Sequence, residues 1–278
     1  MQSRRLTGSI GIECVLTECK TLSESTTRAA LLELLSRHHV VVIRDAGLSI
    51  CEQLELTRYF GSPMELPYIT PHPDHPEVIA VKKTARERNT GVFGGDWHSD
   101  FSFLLHPPNG SILNAVTIPP FGGDTLWANQ VVALESLDPE LRDIVDRHDA
   151  IHSGKPYGVK HQPAADTQAN SSIQISRSNP EADTETLHPC VIRDSLSGRR
   201  ALWLNPIYTT RLSHLSESDS AAILQEIYRH AVRPEFCYRH RWREGDLVIW
   251  NNFTTLHYAV NDYDGFDRLL YRTTYRNI

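Results

Sequence analysis

The chain has 278 residues, of which 40% are hydrophobic and 22% are charged, so it is long enough to bury a large apolar core. Its formal net charge of -6 at pH 7 excludes the basic surface that is typical of a nucleic-acid-binding protein. No apolar run approaches the roughly 20 residues that a membrane-spanning helix requires. The sequence therefore predicts neither nucleic acid nor membrane as a partner.

The cysteines indicate a reducing environment. There are five, which is an odd number, and they are scattered along the chain. Cys14 and Cys19 are too far apart for a zinc-binding pair, and no second pair follows them. The charged first residues are not followed by the apolar segment of a secretory signal. We therefore expect reduced thiols and a cytoplasmic protein.

The first sixty residues alternate helical and strand patterns. A helix is predicted over Arg28–His38, where apolar residues recur at helical spacing behind a Ser/Thr run that can cap the helix. The continuous apolar run Val40–Ile43 predicts a buried strand. A second helix is predicted over Ser49–Phe60 and ends at Gly61.

Beyond these elements, short β-rich stretches recur between turns that contain Pro and Gly. Many short strands with this punctuation favour a sandwich or barrel over a parallel sheet. Two further helices are predicted at Leu134–His148 and Glu217–Ala231, and no repeat is visible, so we expect residues 1–278 to form a single domain. The predicted strands are Val78–Val81, Gly110–Val116, Ala201–Leu204, Asp246–Trp250 and Leu269–Tyr275.

One stretch, Gly154–Thr186, is poor in large apolar residues and rich in Ser, Asn, Ala, Asp and Gln. It could link two domains, but strands of the same predicted sheet resume at Leu187. Long excursions from a compact domain are often lids or binding loops. We therefore predict a lid at about residues 154–186.

The most informative local pattern is the triplet His98-Ser99-Asp100. If the triplet lies in a strand, His98 and Asp100 project to the same side, because side chains alternate along a strand. One imidazole and one carboxylate are two of the three ligands of the facial triad that binds iron(II) and leaves coordination positions open. The triplet alone is not specific, because the end of a surface strand can carry the same residues.

A third ligand must come from another of the fourteen histidines, and His257 is the candidate. It follows an apolar strand and precedes a strand in which Arg268 and Arg272 face the same side. Two such arginines can each bind a carboxylate by bidentate pairing. The alternative is that both are solvated charges on an exposed strand face.

Several further motifs occur in one order along the chain. Together they resemble the taurine/2,4-dichlorophenoxyacetate dioxygenase family, from about Leu6 to Arg276, and their number and spacing make the resemblance specific. The motifs are Arg44 with Phe60-Gly61, Asp96-Trp97-His98-Ser99-Asp100, Gly122-Gly123-Asp124-Thr125-Leu126-Trp127, Leu187-His188-Pro189, Asn205 with Thr209-Thr210-Arg211, and Trp250–Arg272.

The resemblance implies an enzyme that uses Fe(2+), 2-oxoglutarate and O2 to oxidise a small anionic organic substrate, such as a carboxylate, a sulfonate or a sulfate ester. The implied fold is mainly β with flanking α, in which a double-stranded β-helix (jelly roll) core carries external helices. The family's iron ligands fall on His98, Asp100 and His257. The pair that holds the distal carboxylate of 2-oxoglutarate falls on Thr125 and Arg268.

The resemblance also implies a substrate pocket. Arg272 falls on the arginine that anchors the substrate's anionic group. Tyr208 occupies the position of an aromatic pocket residue, and Tyr68 lies in the loop that covers the site in relatives. Gly94 stands where taurine-specific members carry an asparagine, so the sequence argues against taurine as the substrate.

Other functions stay open at this stage. Relatives with the same cofactors carry out biosynthetic reactions, namely stable hydroxylation, desaturation or isonitrile formation, and the outcome depends on where the substrate's C–H bond lies relative to iron. A zinc hydrolase is an alternative of another class, since two histidines and a carboxylate also bind zinc. A hydrolase needs no clamp for a second carboxylate, so Thr125 and Arg268 favour the oxygenase. The sequence leaves the oligomeric state open, including a homo-oligomer.

Overall fold

The structure is a computed structural model and describes residues 2–16, 22–88, 91–160 and 172–277. Its strands are Gln2–Arg5 (β1), Ile12–Val15 (β2), Val40–Ile43 (β3), Ser62–Pro63 (β4), Val78–Lys83 (β5), Gly110–Thr117 (β6), Thr125–Asn129 (β7), Asp149–Ser153 (β8), Glu185–Pro189 (β9), Val191–Arg193 (β10), Arg200–Leu202 (β11), Thr209–Leu212 (β12), Cys237–His240 (β13), Leu247–Asn251 (β14), Thr255–Ala259 (β15) and Arg268–Arg276 (β16). Its α-helices are Ser25–His38 (α1), Ile50–Phe60 (α2), Gln130–Glu135 (α3), Pro139–Arg147 (α4) and Glu217–Ala231 (α5).

The largest sheet contains eight strands. Seven follow the order β1-β2-β3-β14-β6-β16-β4, and β5 pairs with β16 outside that path. Its pairs are antiparallel except for β2 with β3. Two three-stranded sheets, β13-β7-β15 and β12-β8-β9, and the pair β10-β11 complete the strand pairing of the described residues. The connections between non-consecutive strands agree with the predicted sandwich or barrel rather than a parallel sheet.

The alternation of side chains in β14 shows how the layers stack. Val248 and Trp250 pack in an apolar cluster that also contains Trp127 of β7. Leu247 and Ile249 point to the opposite face and pack in a cluster with α1 and α2. A third cluster joins β7 and β15 to α3 and α5. The protein is therefore mainly β with flanking helices, as predicted, and the large sheet faces the β13-β7-β15 sheet.

The helices largely follow their sequence signals. Helix α2 begins with a capping box in which Ser49 and Glu52 satisfy each other's backbone N–H groups. Helix α5 has the predicted bounds, whereas α1 begins at Ser25 rather than Arg28.

The single helix predicted over Leu134–His148 is wrong, because α3 and α4 are separate helices. Pro139 has no N–H and occupies the first turn of α4, while Asp138 caps that helix by accepting from the backbone N–H of Glu140 over 2.9 Å. The Asp-Pro pair therefore starts a new helix instead of continuing α3.

The predicted excursion 154–186 lies partly outside the described residues, which omit 161–171. Its described parts include the short 3-10 helices Lys155–Tyr157 and Pro180–Asp183. Its second part contacts the loop that contains Tyr68, through hydrogen bonds from Ser176 N to Tyr68 O (2.7 Å) and from Thr70 N to Gln174 O (2.9 Å). Backbone hydrogen bonds thus join the loop that contains Tyr68 to the second part of the excursion, although the two are distant in sequence.

The thiols of Cys14, Cys51, Cys190 and Cys237 are free, whereas Cys19 lies outside the described residues. No helix in the described part of the chain is both long enough and apolar enough to cross a membrane.

Candidate active site

The structure brings His98, Asp100 and His257 together. Their ligand atoms all lie within 4.8 Å of one another, and all three side chains are buried. Asp100 Oδ1 lies 3.6 Å from His98 Nε2 and 3.5 Å from His257 Nε2. Within the described ranges, this is the one group of at least three His, Cys, Asp or Glu side chains that could hold a metal ion.

The backbone around His98 is held by hydrogen bonds outside the named strands. His98 forms an isolated bridge with His257, in which each backbone N–H donates to the other's carbonyl (3.0 and 2.8 Å), but the triplet belongs to no strand. Asn252 holds the next ligand by accepting from Asp100 N (2.7 Å) and donating to Asp100 O (2.9 Å). The convergence of His98 and Asp100 therefore arises from these bonds to the β14–β15 region and not from strand alternation.

The side-chain hydrogen bond of His98 and the burial of His257 both favour metal binding by these imidazoles. His98 Nδ1 lies 2.7 Å from the carbonyl of Asp96, so it carries the hydrogen and leaves the lone pair of Nε2 free. Burial, and then the charge of His98, lower the pKa of His257, so that imidazole is neutral. Two imidazoles and one carboxylate form the donor set of an iron(II) facial triad.

Asp100 uses its two oxygens differently. Oδ1 faces the imidazoles, whereas Oδ2 accepts from Arg272 Nη2 at 2.6 Å and from Ser111 Oγ at 3.0 Å. Burial alone would raise the pKa of Asp100, but Arg272, His257 and His98 outweigh burial and hold that pKa far below its ordinary value. Asp100 is therefore an anion with one oxygen directed at the imidazoles.

Arg272 and Arg268 both lie on β16 with buried side chains, as the alternation predicts, but they have different partners. Arg272 donates to Asp100 and to Thr274 Oγ1 (3.2 Å). Arg268 donates from Nε to Gly123 O (3.1 Å), and its guanidinium lies 5.7 Å from the ring centre of Tyr263. No carboxylate of the described residues forms an ion pair with Arg268.

A buried guanidinium without a carboxylate partner is costly unless a ligand provides the negative charge. Thr125 begins β7, two residues after the glycine that accepts from Arg268. Its hydroxyl oxygen accepts from Trp242 Nε1 over 2.9 Å, which leaves the hydroxyl hydrogen available for a ligand. Gly123 has a φ of +67°, and a Cβ there would meet Arg268 Cδ at 3.1 Å, so glycine permits this close approach.

A cavity of about 190 Å³ opens beside His98 and Asp100. Tyr208 lines it, and the hydroxyls of Tyr208 and Tyr157 lie 3.1 Å apart. Burial raises the pKa of both phenols, so both hydroxyls are neutral and can donate. Tyr68 stacks on the Tyr157 ring, with 5.2 Å between ring centres, and so lies behind a pocket residue.

Several of these contacts were not found from the sequence. Asn252 has no local signal in the sequence, and Ser111 falls only within the predicted strand Gly110–Val116. The roles of Trp242 and Tyr157 had no local signal, because each depends on a partner that is distant in the sequence. Gly94 stands where taurine-specific members carry an asparagine. It has a φ of +78°, and a Cβ there would lie 3.1 Å from His98 Cε1.

Comparison with known proteins assigns the chain to a family. The family described as "Taurine catabolism dioxygenase TauD, TfdA family" matches residues 2–274. The chain belongs to this family. It is a 2-oxoglutarate-dependent oxygenase, which confirms the resemblance seen in the sequence.

Individual relatives cover nearly the whole chain. An alkylsulfatase of Acinetobacter baylyi is 33% identical over 99% of this chain and 84% of the relative. An alpha-ketoglutarate-dependent sulfate ester dioxygenase of Pseudomonas putida is 31% identical over 96% of this chain and 86% of the relative. The crystal structure of a taurine dioxygenase from Burkholderia xenovorans matches with a TM-score of 0.81 and 30% identity, over 100% of this chain and 91% of that one.

Proposed function

We propose that the protein is an iron(II)- and 2-oxoglutarate-dependent dioxygenase that oxidises a small anionic organic substrate such as a carboxylate, a sulfonate or a sulfate ester. The observation that carries the proposal is a pairing of two features in neighbouring cavities, whose linings share Val92 and Phe93. A buried group of two imidazoles and one carboxylate fits a metal ion, and the unpaired guanidinium of Arg268 fits a carboxylate co-substrate.

In this proposal His98, Asp100 and His257 hold the iron. The donor set supports iron(II), since three protein ligands leave coordination positions open for 2-oxoglutarate and O2. When bound, iron(II) supplies the activation of O2 that couples oxidation of the substrate to decarboxylation of 2-oxoglutarate to succinate. The protein's part is to keep the His257 imidazole neutral, to leave Nε2 of His98 free, to keep Asp100 ionised, and to direct one carboxylate oxygen at the metal position.

Arg268 and Thr125 hold the distal carboxylate of 2-oxoglutarate in this proposal. Arg268 contributes a buried positive charge, and Thr125 contributes a hydroxyl hydrogen that its bond from Trp242 leaves free. This clamp argues against the zinc hydrolase considered from the sequence, because hydrolysis has no use for a second carboxylate.

The substrate's negative group is assigned to the part of the cavity near Asp100, the lining residue to which Arg272 is bound. Tyr208 would contact the substrate from the cavity wall, and Tyr68 would act from behind Tyr157. The relatives from Acinetobacter baylyi and Pseudomonas putida are an alkylsulfatase and a sulfate ester dioxygenase. Their names support a sulfate ester within the proposed substrate class.

A biosynthetic oxidation is the second candidate. A pentalenolactone F synthase of Streptomyces avermitilis is 30% identical over 98% of this chain. The same residues would hold iron and 2-oxoglutarate in either case. The difference would lie in the substrate and in the carbon atom that it presents to the metal.

We also infer that the facing sheets form one double-stranded β-helix, so that residues 1–278 make a single dioxygenase domain. The segment 154–186 would act as a lid, because Tyr157, Ile175 and Arg177 from its described parts line the cavity. A cytoplasmic location and a homo-oligomeric state stay predictions.

The proposal is tested by incubating the iron-loaded protein with 2-oxoglutarate, O2 and a panel of alkyl sulfates, alkyl sulfonates, aryloxyalkanoates and amino acids. We expect at least one anionic compound to increase succinate release and to be consumed in proportion to it. Consumption of a compound without 2-oxoglutarate would contradict the oxygenase. Stimulation by neutral or cationic compounds alone would contradict the anionic substrate class.

A further inference from the structure

Arg177 is a cation in the cavity that none of the assigned roles explains. Its side chain lines the cavity together with Tyr157 and Tyr208. Its Nη1 donates to the carbonyl of Pro156 over 2.6 Å, which fixes one end of the guanidinium. Its Nε is buried without a hydrogen-bond partner in the described part of the chain. The guanidinium therefore has donors left for a ligand.

The charge of Arg177 is also uncompensated. Its electrostatic partner is the phenol of Tyr157, and no carboxylate of residues 2–16, 22–88, 91–160 or 172–277 forms an ion pair with it. The other two arginines of the site differ, since Arg272 is paired with Asp100 and Arg268 lies against Gly123. Arg177 is half-buried, and a guanidinium that lines a cavity without a carboxylate partner has donors with which to bind an anionic ligand there.

Tyr157 connects Arg177 with the metal side of the cavity. Its phenol feels the charges of Arg272, Asp100 and Arg177. Its hydroxyl lies 3.1 Å from that of Tyr208, so one hydroxyl hydrogen is used between the two phenols and the other is left for a ligand. An anion placed beside these hydroxyls would be attracted by both Arg272 and Arg177, since both act on Tyr157.

We propose that Arg177 is a specificity-determining residue that, with Tyr157 and Arg272, binds a tetrahedral anionic group, so that sulfate esters and sulfonates bind better than carboxylates. This inference rests on the proposed function and narrows its substrate class. A sulfate monoester or sulfonate presents three terminal oxygens, whereas a carboxylate presents two. Two guanidinium groups and a phenol hydroxyl supply enough donors for three oxygens, since an arginine has five N–H donors.

The remaining walls fit an apolar chain attached to that group. Val92, Phe93, Ile175 and Ile207 line the same cavity. They offer apolar surface to such a chain, whereas Asp96, which also lines the cavity, is exposed. A short alkyl sulfate therefore matches both the cations and the apolar walls of this cavity.

The test compares hexyl sulfate with hexanoate as probes. Their binding to the enzyme loaded with iron(II) and 2-oxoglutarate is measured by calorimetry without O2, so that the readout does not depend on turnover. The wild-type protein should bind hexyl sulfate more tightly than hexanoate. In Arg177→Gln the affinity for hexyl sulfate should fall about tenfold or more, since a charged hydrogen bond is lost, and that for hexanoate should fall less.

Two further variants separate charge from structure. Arg177→Lys keeps the charge and should recover part of the lost affinity, whereas glutamine keeps only the ability to donate to Pro156 O. Arg193→Gln is the matched control, because Arg193 also donates from Nη1 to a backbone carbonyl at 2.6 Å, that of Gly198, but does not line the cavity. Arg193→Gln should bind both probes as the wild-type protein does.

The outcomes distinguish this inference from the proposed function. Wild-type affinity for hexyl sulfate in Arg177→Gln would overturn the role of Arg177 while leaving the oxygenase in place. Equal losses in Arg177→Gln and Arg177→Lys would show that the positive charge does not contribute to binding and would also overturn it. A wild-type protein that releases no succinate with any anionic compound would contradict the proposed function itself.

Discussion

Arg272 Nη2 lies 2.6 Å from Asp100 Oδ2, so the arginine proposed to bind the substrate's anion is paired with a carboxylate proposed to bind the metal. The same oxygen of Asp100 accepts from Ser111, and its other oxygen faces His98 and His257. Substrate recognition and metal ligation therefore share one carboxylate. A change at Arg272 should affect the substrate side first, because the oxygen that faces the imidazoles is not the one that Arg272 holds.

Truncating Arg272 to alanine should weaken binding of the anionic substrate and leave 2-oxoglutarate binding nearly unchanged. A charged hydrogen bond contributes about 1.5–3 kcal/mol, or roughly ten- to more than a hundredfold in affinity. Decarboxylation of 2-oxoglutarate without substrate should persist. The measurement is the apparent KM for each compound from succinate release, with Arg272→Lys as the charge-retaining control. Unchanged substrate binding in Arg272→Ala would contradict this role.

The opposite result is expected for Arg268→Ala. This guanidinium is buried and lacks a carboxylate partner among residues that the structure describes, so its removal should raise the apparent KM for 2-oxoglutarate by roughly ten- to more than a hundredfold. The dissociation constant of the anionic substrate should change much less. Direct titration of 2-oxoglutarate into the iron-loaded protein without O2 checks the prediction. Equal affinity for 2-oxoglutarate in the variant and the wild-type protein would contradict the role of Arg268 in binding the co-substrate.

Trp242 should act on 2-oxoglutarate through Thr125. In Trp242→Phe the hydroxyl of Thr125 loses the donor at 2.9 Å, so its orientation toward the co-substrate is no longer fixed. The loss of one neutral hydrogen bond, about 1 kcal/mol, predicts a rise of roughly fivefold in the KM for 2-oxoglutarate. Trp203→Phe is the control, since the Nε1 of Trp203 is buried without a partner within the described residues. Similar effects in both variants would indicate a packing loss instead.

The segment 154–186 should become more protected when the site is filled. Its described parts supply Tyr157, Ile175 and Arg177 to the cavity wall, and its composition buries little apolar surface, so ligand contacts should contribute to its order. Hydrogen exchange of peptides from this segment should slow when iron, 2-oxoglutarate and an anionic substrate are all present. Equally slow exchange in the apo and loaded protein would rule out a lid.

The sequence predicted the parts of the site that depend on local spacing. His98 and Asp100 are two residues apart, and Arg268 and Arg272 alternate along one strand, so spacing together with the family resemblance selected them as candidates. The triplet lies in no strand, because Asn252 and His257 hold that loop through bonds that only the folded chain creates.

Contacts between distant elements could not be predicted in this way. The pairing of Arg272 with Asp100 requires the register of β16 against β6, which brings Ser111 beside both residues. Likewise, the bond from Trp242 to Thr125 depends on how the chain leaves β13. The break between α3 and α4 is a different case, since its signal, Asp138 followed by Pro139, was present in the sequence.

The central claim is that Asp100, with His98 and His257, holds a catalytic iron. The direct measurement is the iron content of the protein reconstituted without O2, together with succinate release after O2 is admitted, for the wild-type protein and Asp100→Ala. Asp96→Ala is the matched control, because only the backbone carbonyl of Asp96 binds His98.

The wild-type protein and the control should each retain about one iron per chain, as a three-ligand site requires. Asp100→Ala should stay folded by circular dichroism but lose most of its iron and nearly all iron-dependent succinate release, because the anionic ligand balances the metal's charge. Iron content and turnover close to the wild-type values in Asp100→Ala would contradict the metal assignment.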